Sequence, residues 1–121
     1  MDHSLRVAVA AQPRLIRELM LEIVKVQSEI EVVADIDNDL DIERIVDETR
    51  PDFLIIASSE LDIHQPICDI LLRRHPEMKI LALAAERNRG LLLWASVKVH
   101  AVNVEASEEG ILGALRGEYS S

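Results

Sequence analysis

Phe53-Leu54-Ile55-Ile56-Ala57 is a continuous apolar run, entered through Arg50-Pro51-Asp52 and left through Ser58-Ser59. A strand with one face in water alternates apolar and polar residues. A run with no polar member is the signature of a central strand covered on both faces. The rest of the chain can be read outward from it, because such a strand needs parallel neighbours and helices above and below.

Upstream, Ile42, Ile45 and Val46 line one face of a helix that must stop near Arg50-Pro51, since a residue before proline is pushed out of helical geometry. Glu31 to Ala34 reads as a strand before it, and Arg6 to Ala10 as the first strand. Between those two, Leu15, Ile16, Leu19, Met20, Ile23 and Val24 form a stripe at helical spacing.

Downstream, Asp62 with Gln65 has capping-box character, and Pro66 suits a first helical turn. That helix runs to about His75, where Pro76 ends it. Lys79 to Ala84 is the fourth strand, Arg89 to Val97 is expected to be a fourth helix, and Ala101 to Val104 a short fifth strand. Ser107, with Glu108 and Glu109 in the first turn, starts a last helix presenting Ile111, Leu112 and Leu115. Five strands alternating with five helices predict one α/β domain over residues 1–121, a flavodoxin-like (βα)5 doubly wound parallel sheet in the order 2-1-3-4-5.

Composition narrows the function. Thirteen Lys+Arg against 22 Asp+Glu give a formal net charge of −9, which repels a phosphate backbone and argues against direct nucleic acid binding. Phe53, Trp94 and Tyr119 are the only aromatic residues, too few to stack unpaired bases. One cysteine, Cys68, cannot form an internal disulfide and has no metal-ligand spacing around it. No apolar run is long enough for a membrane span or signal peptide, so a reducing cytoplasm is the expected compartment. No GxGxxG or P-loop follows the first strand, and no cofactor is expected.

In their order and spacing several segments resemble the receiver domains of two-component response regulators. Leu5-Arg6-Val7-Ala8-Val9-Ala10 followed by Leu15-Ile16-Arg17 is similar to the family's first strand and helix start. Ile30-Glu31-Val32-Val33 resembles its second strand, Arg50-Pro51-Asp52 its entry to the third, and Arg74-His75-Pro76 with Lys79-Ile80-Leu81 its passage into the fourth. The resemblance implies a phosphorylation site of two acidic residues after strand one, an aspartate ending strand three, a hydroxyl ending strand four and a lysine ending strand five. Aligned by strand ends, this chain offers Ala11 and Gln12, Ala57, Ala84 and Glu105 at those positions. Magnesium needs hard oxygen ligands, phosphoryl transfer needs a nucleophile, and a glutamate repels the charge that a lysine would neutralise. The expectation is a pseudo-receiver: not an enzyme, but a regulatory domain acting by protein–protein interaction or as a homodimer.

The remaining candidates weigh less. Ser58 and Ser59 read as loop residues after a buried strand. His3, His64, His75 and His100 share no metal-ligand spacing, and Cys68 reads as a small packing residue. Asp35, Glu60, Glu86 and Glu105 make the carboxyl edge of the sheet acidic, and a small-ligand or metal-sensing domain using that edge is the alternative function. In Gly90-Leu91-Leu92-Leu93-Trp94, four large apolar residues follow one another, and a helix cannot bury them all against one surface. Either the helix is covered on all sides or its boundary is shifted, or Leu91, Leu92, Leu93, Trp94 and Val97 form an interface anchored by the tryptophan.

Overall fold

The computed structural model describes residues 4–11, 14–58, 66–84, 88–95 and 99–118. A six-stranded sheet carries helices on both faces, in the strand order β2-β1-β3-β4-β5-β6. The strands are β1 (Leu5–Ala11), β2 (Ile30–Ile36), β3 (Phe53–Ser58), β4 (Lys79–Ala84), β5 (Arg89–Ala95) and β6 (Val99–Val104). The helices are α1 (Arg14–Lys25), α2 (Ile42–Thr49), α3 (Pro66–Arg74) and α4 (Glu108–Leu115). The apolar run read as the central strand is β3, flanked by β1 and β4 in parallel register, with Val9 and Leu81 on either side of Ile55.

Alternation along the strands splits the core into two layers. Val7, Val9, Phe53, Ile55, Ala57, Leu81, Leu83 and Leu92 face α1 and α4, meeting Met20, Leu21, Val24, Ile111, Leu112 and Leu115. Ala8, Ala10, Leu54, Ile56, Ile80, Ala82 and Leu93 face α2 and α3, meeting Ile42, Val46, Cys68, Leu71 and Leu72. Each fully buried leucine or isoleucine contributes about 1.5 to 3 kcal/mol relative to exposure. No polar or charged residue among those described is buried. Cys68 has the packing role read for it.

Local signals act as the residues suggest. Asn38 caps a 3-10 turn at Asp39–Asp41, its side chain accepting from the Leu40 N–H at 3.0 Å, and α2 follows directly. That helix ends at Arg50 in the left-handed region, φ 46°, with the Arg50 N–H bonded to the Val46 carbonyl. Pro51 bars another helical turn at that point. Ser107 caps α4 by accepting from the Gly110 N–H at 3.1 Å. The capping pair Asp62 and Gln65 lies outside the described residues.

The expected (βα)5 wiring needs correction at one place. Residues 89–95 form a strand, not a fourth helix, and β5 pairs antiparallel with both β4 and β6. β6, the strand expected fifth, therefore runs in the same direction as β1 to β4, with β5 inserted between them against the common direction. Chain length explains the departure. Four residues separate β4 from β5 and three separate β5 from β6, whereas a parallel crossover takes a dozen or more. Leu92 and Leu93 point to opposite layers and are both fully buried, so a strand inside the sheet buries the consecutive apolar side chains that a helix could not.

Candidate functional site

The carboxyl ends of the like-directed strands gather the positions aligned with phosphorylation residues. Ala11 ends β1 beside Ala57 of β3 in register. Ala57 pairs across to Leu83, and Ser58 to Ala84 at the end of β4. Ala11, Ala57 and Ala84 are 1%, 2% and 3% exposed. Ala11 and Ala57 lie side by side in the α1/α4 layer, whereas Ala84, one residue past Leu83, lies on the opposite face in register with Ser58, the last residue of β3. Gln12 lies outside the described residues, as do Ser59, Glu60 and Glu86.

Glu105 is set apart from this group. It follows β6 directly, and the inserted β5 places that strand three steps from β3, about 14 Å across the sheet at the usual strand spacing. In a sheet without the insertion the separation would be two steps, about 10 Å. Glu105 is exposed, its carboxylate lies 3.4 Å from the Ser107 hydroxyl, and its carbonyl lies under the first turn of α4. A Cβ on Gly110 would come within 2.2 Å of that carbonyl oxygen, so the tight entry to the helix requires glycine.

The two described residues of the acidic edge, Asp35 and Glu105, also lie apart. Asp35 forms an ion pair with Arg17 of α1, Nε to Oδ1 3.0 Å, on the far side of β1 from Glu105. Among the described residues, no three His, Cys, Asp or Glu side chains are grouped to hold a metal ion. An open depression of about 540 Å3 lies at the outer end of this edge, lined by Asn88, Arg89, Gly90, Leu91, Asn103, Val104 and Glu105. Asn88 enters it with φ 50°, a conformation asparagine tolerates better than most residues. Gly90 admits the neighbouring strands closely, for a Cβ there would stand 2.7 Å from Leu83 Cδ2 and 3.2 Å from the Ala82 carbonyl. Asn88, Arg89 and Asn103 were not singled out from the sequence, because the depression arises only once β5 enters the sheet.

The residues read as an interface divide. Leu92 and Leu93 are core residues. Leu91 is half-buried against the α2/α3 layer, and Trp94 is half-buried on the other face, stacked on His100 with ring centroids 5.1 Å apart and planes 13° from parallel. Val97 lies outside the described residues. Large apolar side chains are exposed elsewhere: Leu15 at 73% and Leu19 at 48% on α1, Val26 at 69% just beyond it, Leu40 at 89% in the 3-10 turn and Ile70 at 45% on α3. The stripe read on α1 included Leu15 and Leu19, but of its members only Met20 and Val24 are buried, and Leu21, outside the stripe, is buried with them.

At the amino edge, His75 stands 2.7 Å from Asp47 through Nε2, and Arg74 bonds both Asp47 and Glu43, so α3 is pinned to α2 by charge. The Asp47 carboxyl is held below its ordinary range, chiefly by the His75 hydrogen bond and with help from the Arg74 charge, against a smaller desolvation effect. Arg116 hydrogen-bonds Glu29 in the same manner, lowering the Glu29 carboxyl. These pairs tie elements together, and Arg74 and His75 also line a depression of about 290 Å3 with Arg50, Asp52 and Glu77.

In comparison with known proteins, no family model matches the sequence and no curated protein matches it. Among the described residues, no helix is long and apolar enough to cross a membrane.

Proposed function

We propose that this chain is a phosphorylation-independent pseudo-receiver, a signal-transduction regulatory domain that acts by binding protein rather than by catalysis. The reading rests on three buried alanines at the strand ends where receiver chemistry would sit, Ala11 and Ala57 side by side in the α1/α4 layer and Ala84 on the opposite face. Alanine offers no nucleophile, no ligand for a cation and no donor to a phosphoryl oxygen. The finer architecture belongs to the same proposal: a receiver-like β2-β1-β3-β4 half with helices on both faces, whose fourth-helix segment has been drawn into the sheet as β5.

The alternative, a ligand-sensing domain, draws on the depression between Asn88 and Glu105 at the carboxyl end of the sheet. Its open form and dispersed polar groups favour it less than the binding reading. A titration separates the two. Adding magnesium and then beryllofluoride to isotope-labelled protein should leave the amide resonances of Ala11, Ala57 and Ala84 unmoved. Saturable shifts at those residues would overturn the pseudo-receiver. Saturable shifts confined to residues 88–91 and 103–105 with a metal or small metabolite would favour the sensor.

A further inference from the structure

The sheet has two edges, β2 and β6. An edge strand offers backbone N–H and C=O groups to any incoming strand, and soluble proteins commonly guard such edges with charge or proline. The two edges here are treated differently. β2 carries Glu31 and Asp35 and runs into Asp37, Asp39 and Asp41. β6, Val99-His100-Ala101-Val102-Asn103-Val104, contains no carboxylate, no lysine or arginine and no proline.

That contrast selects the occupant. Two copies of a chain with formal charge −9 repel one another wherever carboxylates meet. Pairing through β2 would set Glu31 and Asp35 against their own counterparts, whereas β6 alone lets the backbones of two copies approach without such a clash. We propose that β6 is a self-association edge, two copies pairing β6 to β6 antiparallel about a two-fold axis to form one sheet continuous across the dimer. A two-fold makes the contact self-complementary and closed. The register with β5 sets the faces: Val102 and Val104 lie opposite Leu92 and Gly90 on the α4 side, while Ala101 and Asn103 lie opposite Leu93 and Leu91 on the other. For the faces to continue across the axis, residues of one face must oppose residues of the same face. The axis therefore passes at a residue paired with itself, Ala101 with Ala101 or Val102 with Val102. Ala101 and Asn103 are exposed, so their side chains stand beside the junction without being part of the monomer's core.

This inference deepens the binding reading above and rests on it. The test is sedimentation velocity on the full chain from low micromolar to sub-millimolar concentration. Wild type should pass from monomer to dimer, and Ala101→Glu and Asn103→Glu should each weaken dimerisation at least tenfold, because each sets like charges beside the axis. Unchanged thermal unfolding of the dilute variants will show that the fold is intact. Ala101→Cys should cross-link to a dimer under mild oxidation, while Leu40→Cys, exposed on another part of the chain, should not. Leu19→Glu, on the apolar flank of α1, should leave association unchanged. A monomer at every concentration overturns the proposal, as does a dimer lost in Leu19→Glu and kept in both glutamate variants of β6. Its failure would be distinct from failure of the functional reading, since a strictly monomeric chain that takes up no phosphate still lacks receiver chemistry.

Discussion

Replacing Ala57 with aspartate puts a carboxyl group at the very position where a receiver would carry one, and the surroundings set the consequence. Ala57 is 2% exposed, belongs to the α1/α4 core layer and lies between Ala11 and Leu83 in register. Neither neighbouring side chain can donate a hydrogen bond. Burying even the neutral acid without a partner costs about 1 to 3 kcal/mol. Burial also raises the pKa of the new group above its unfolded value, so the unfolded chain ionises first and stability falls as pH rises through that interval. A rise of about 2 to 3 units adds about 3 to 4 kcal/mol at neutral pH. The total, about 4 to 7 kcal/mol, compares with about 5 to 15 kcal/mol for a whole domain. Urea unfolding of wild type and Ala57→Asp at pH 4.5 and pH 8 should show a gap that widens by about 2 to 3 kcal/mol at the higher pH. The variant should not be labelled by acetyl phosphate, since Ala11 remains and no lysine ends β6. An equal gap at both pH values would mean that the new carboxyl is not buried, and robust labelling that a phosphorylation site is present.

Leu93→Ala should cost about 2 to 5 kcal/mol by leaving a cavity between β5 and the α2/α3 layer, with no change in oligomeric state; a dimer lost without a loss of unfolding midpoint would return Leu93 to an interface. Gly90→Ala should destabilise by about 1 to 3 kcal/mol, because its Cβ meets Leu83 Cδ2 at 2.7 Å and the Ala82 and Val104 carbonyls just beyond; a neutral effect in calorimetry would show that β5 moves freely. The lowered Asp47 pKa contributes stability that is present above the unfolded value and is lost as pH falls through the folded one. Asp47→Asn should therefore flatten the acid limb of the urea midpoint against pH, and an unchanged limb would show that the His75 and Arg74 contacts do not act in solution.

How far the sequence could be read depended on whether an element's signal was local. The uninterrupted run at 53–57 announced a central strand, and Ser107 with Glu108 and Glu109 announced the start of α4, because an apolar run and a cap each act within a few residues. Residues 89–95 were misread because a short apolar run is consistent with either a buried helix or a buried strand, and the resemblance to receivers supplied the helix. The residues themselves speak against it. Four consecutive large apolar side chains suit a strand covered on both faces, and seven residues are a strand's length. The alanines at the carboxyl edge were legible because strand ends can be counted. The distance of Glu105 from them was not, since it follows from the insertion of β5. The exposure of Leu15 and Leu19 was hidden too, because helical spacing shows that an apolar stripe exists but not how wide a strip the sheet covers.

Whether the strand ends carry phosphorylation chemistry is decided by an intact mass of the wild-type chain after incubation with acetyl phosphate and magnesium. With alanine at the ends of these strands the mass stays unchanged at every time point. A gain of one phosphate that hydroxylamine removes would mean that an acyl phosphate forms and that the chain is not a pseudo-receiver.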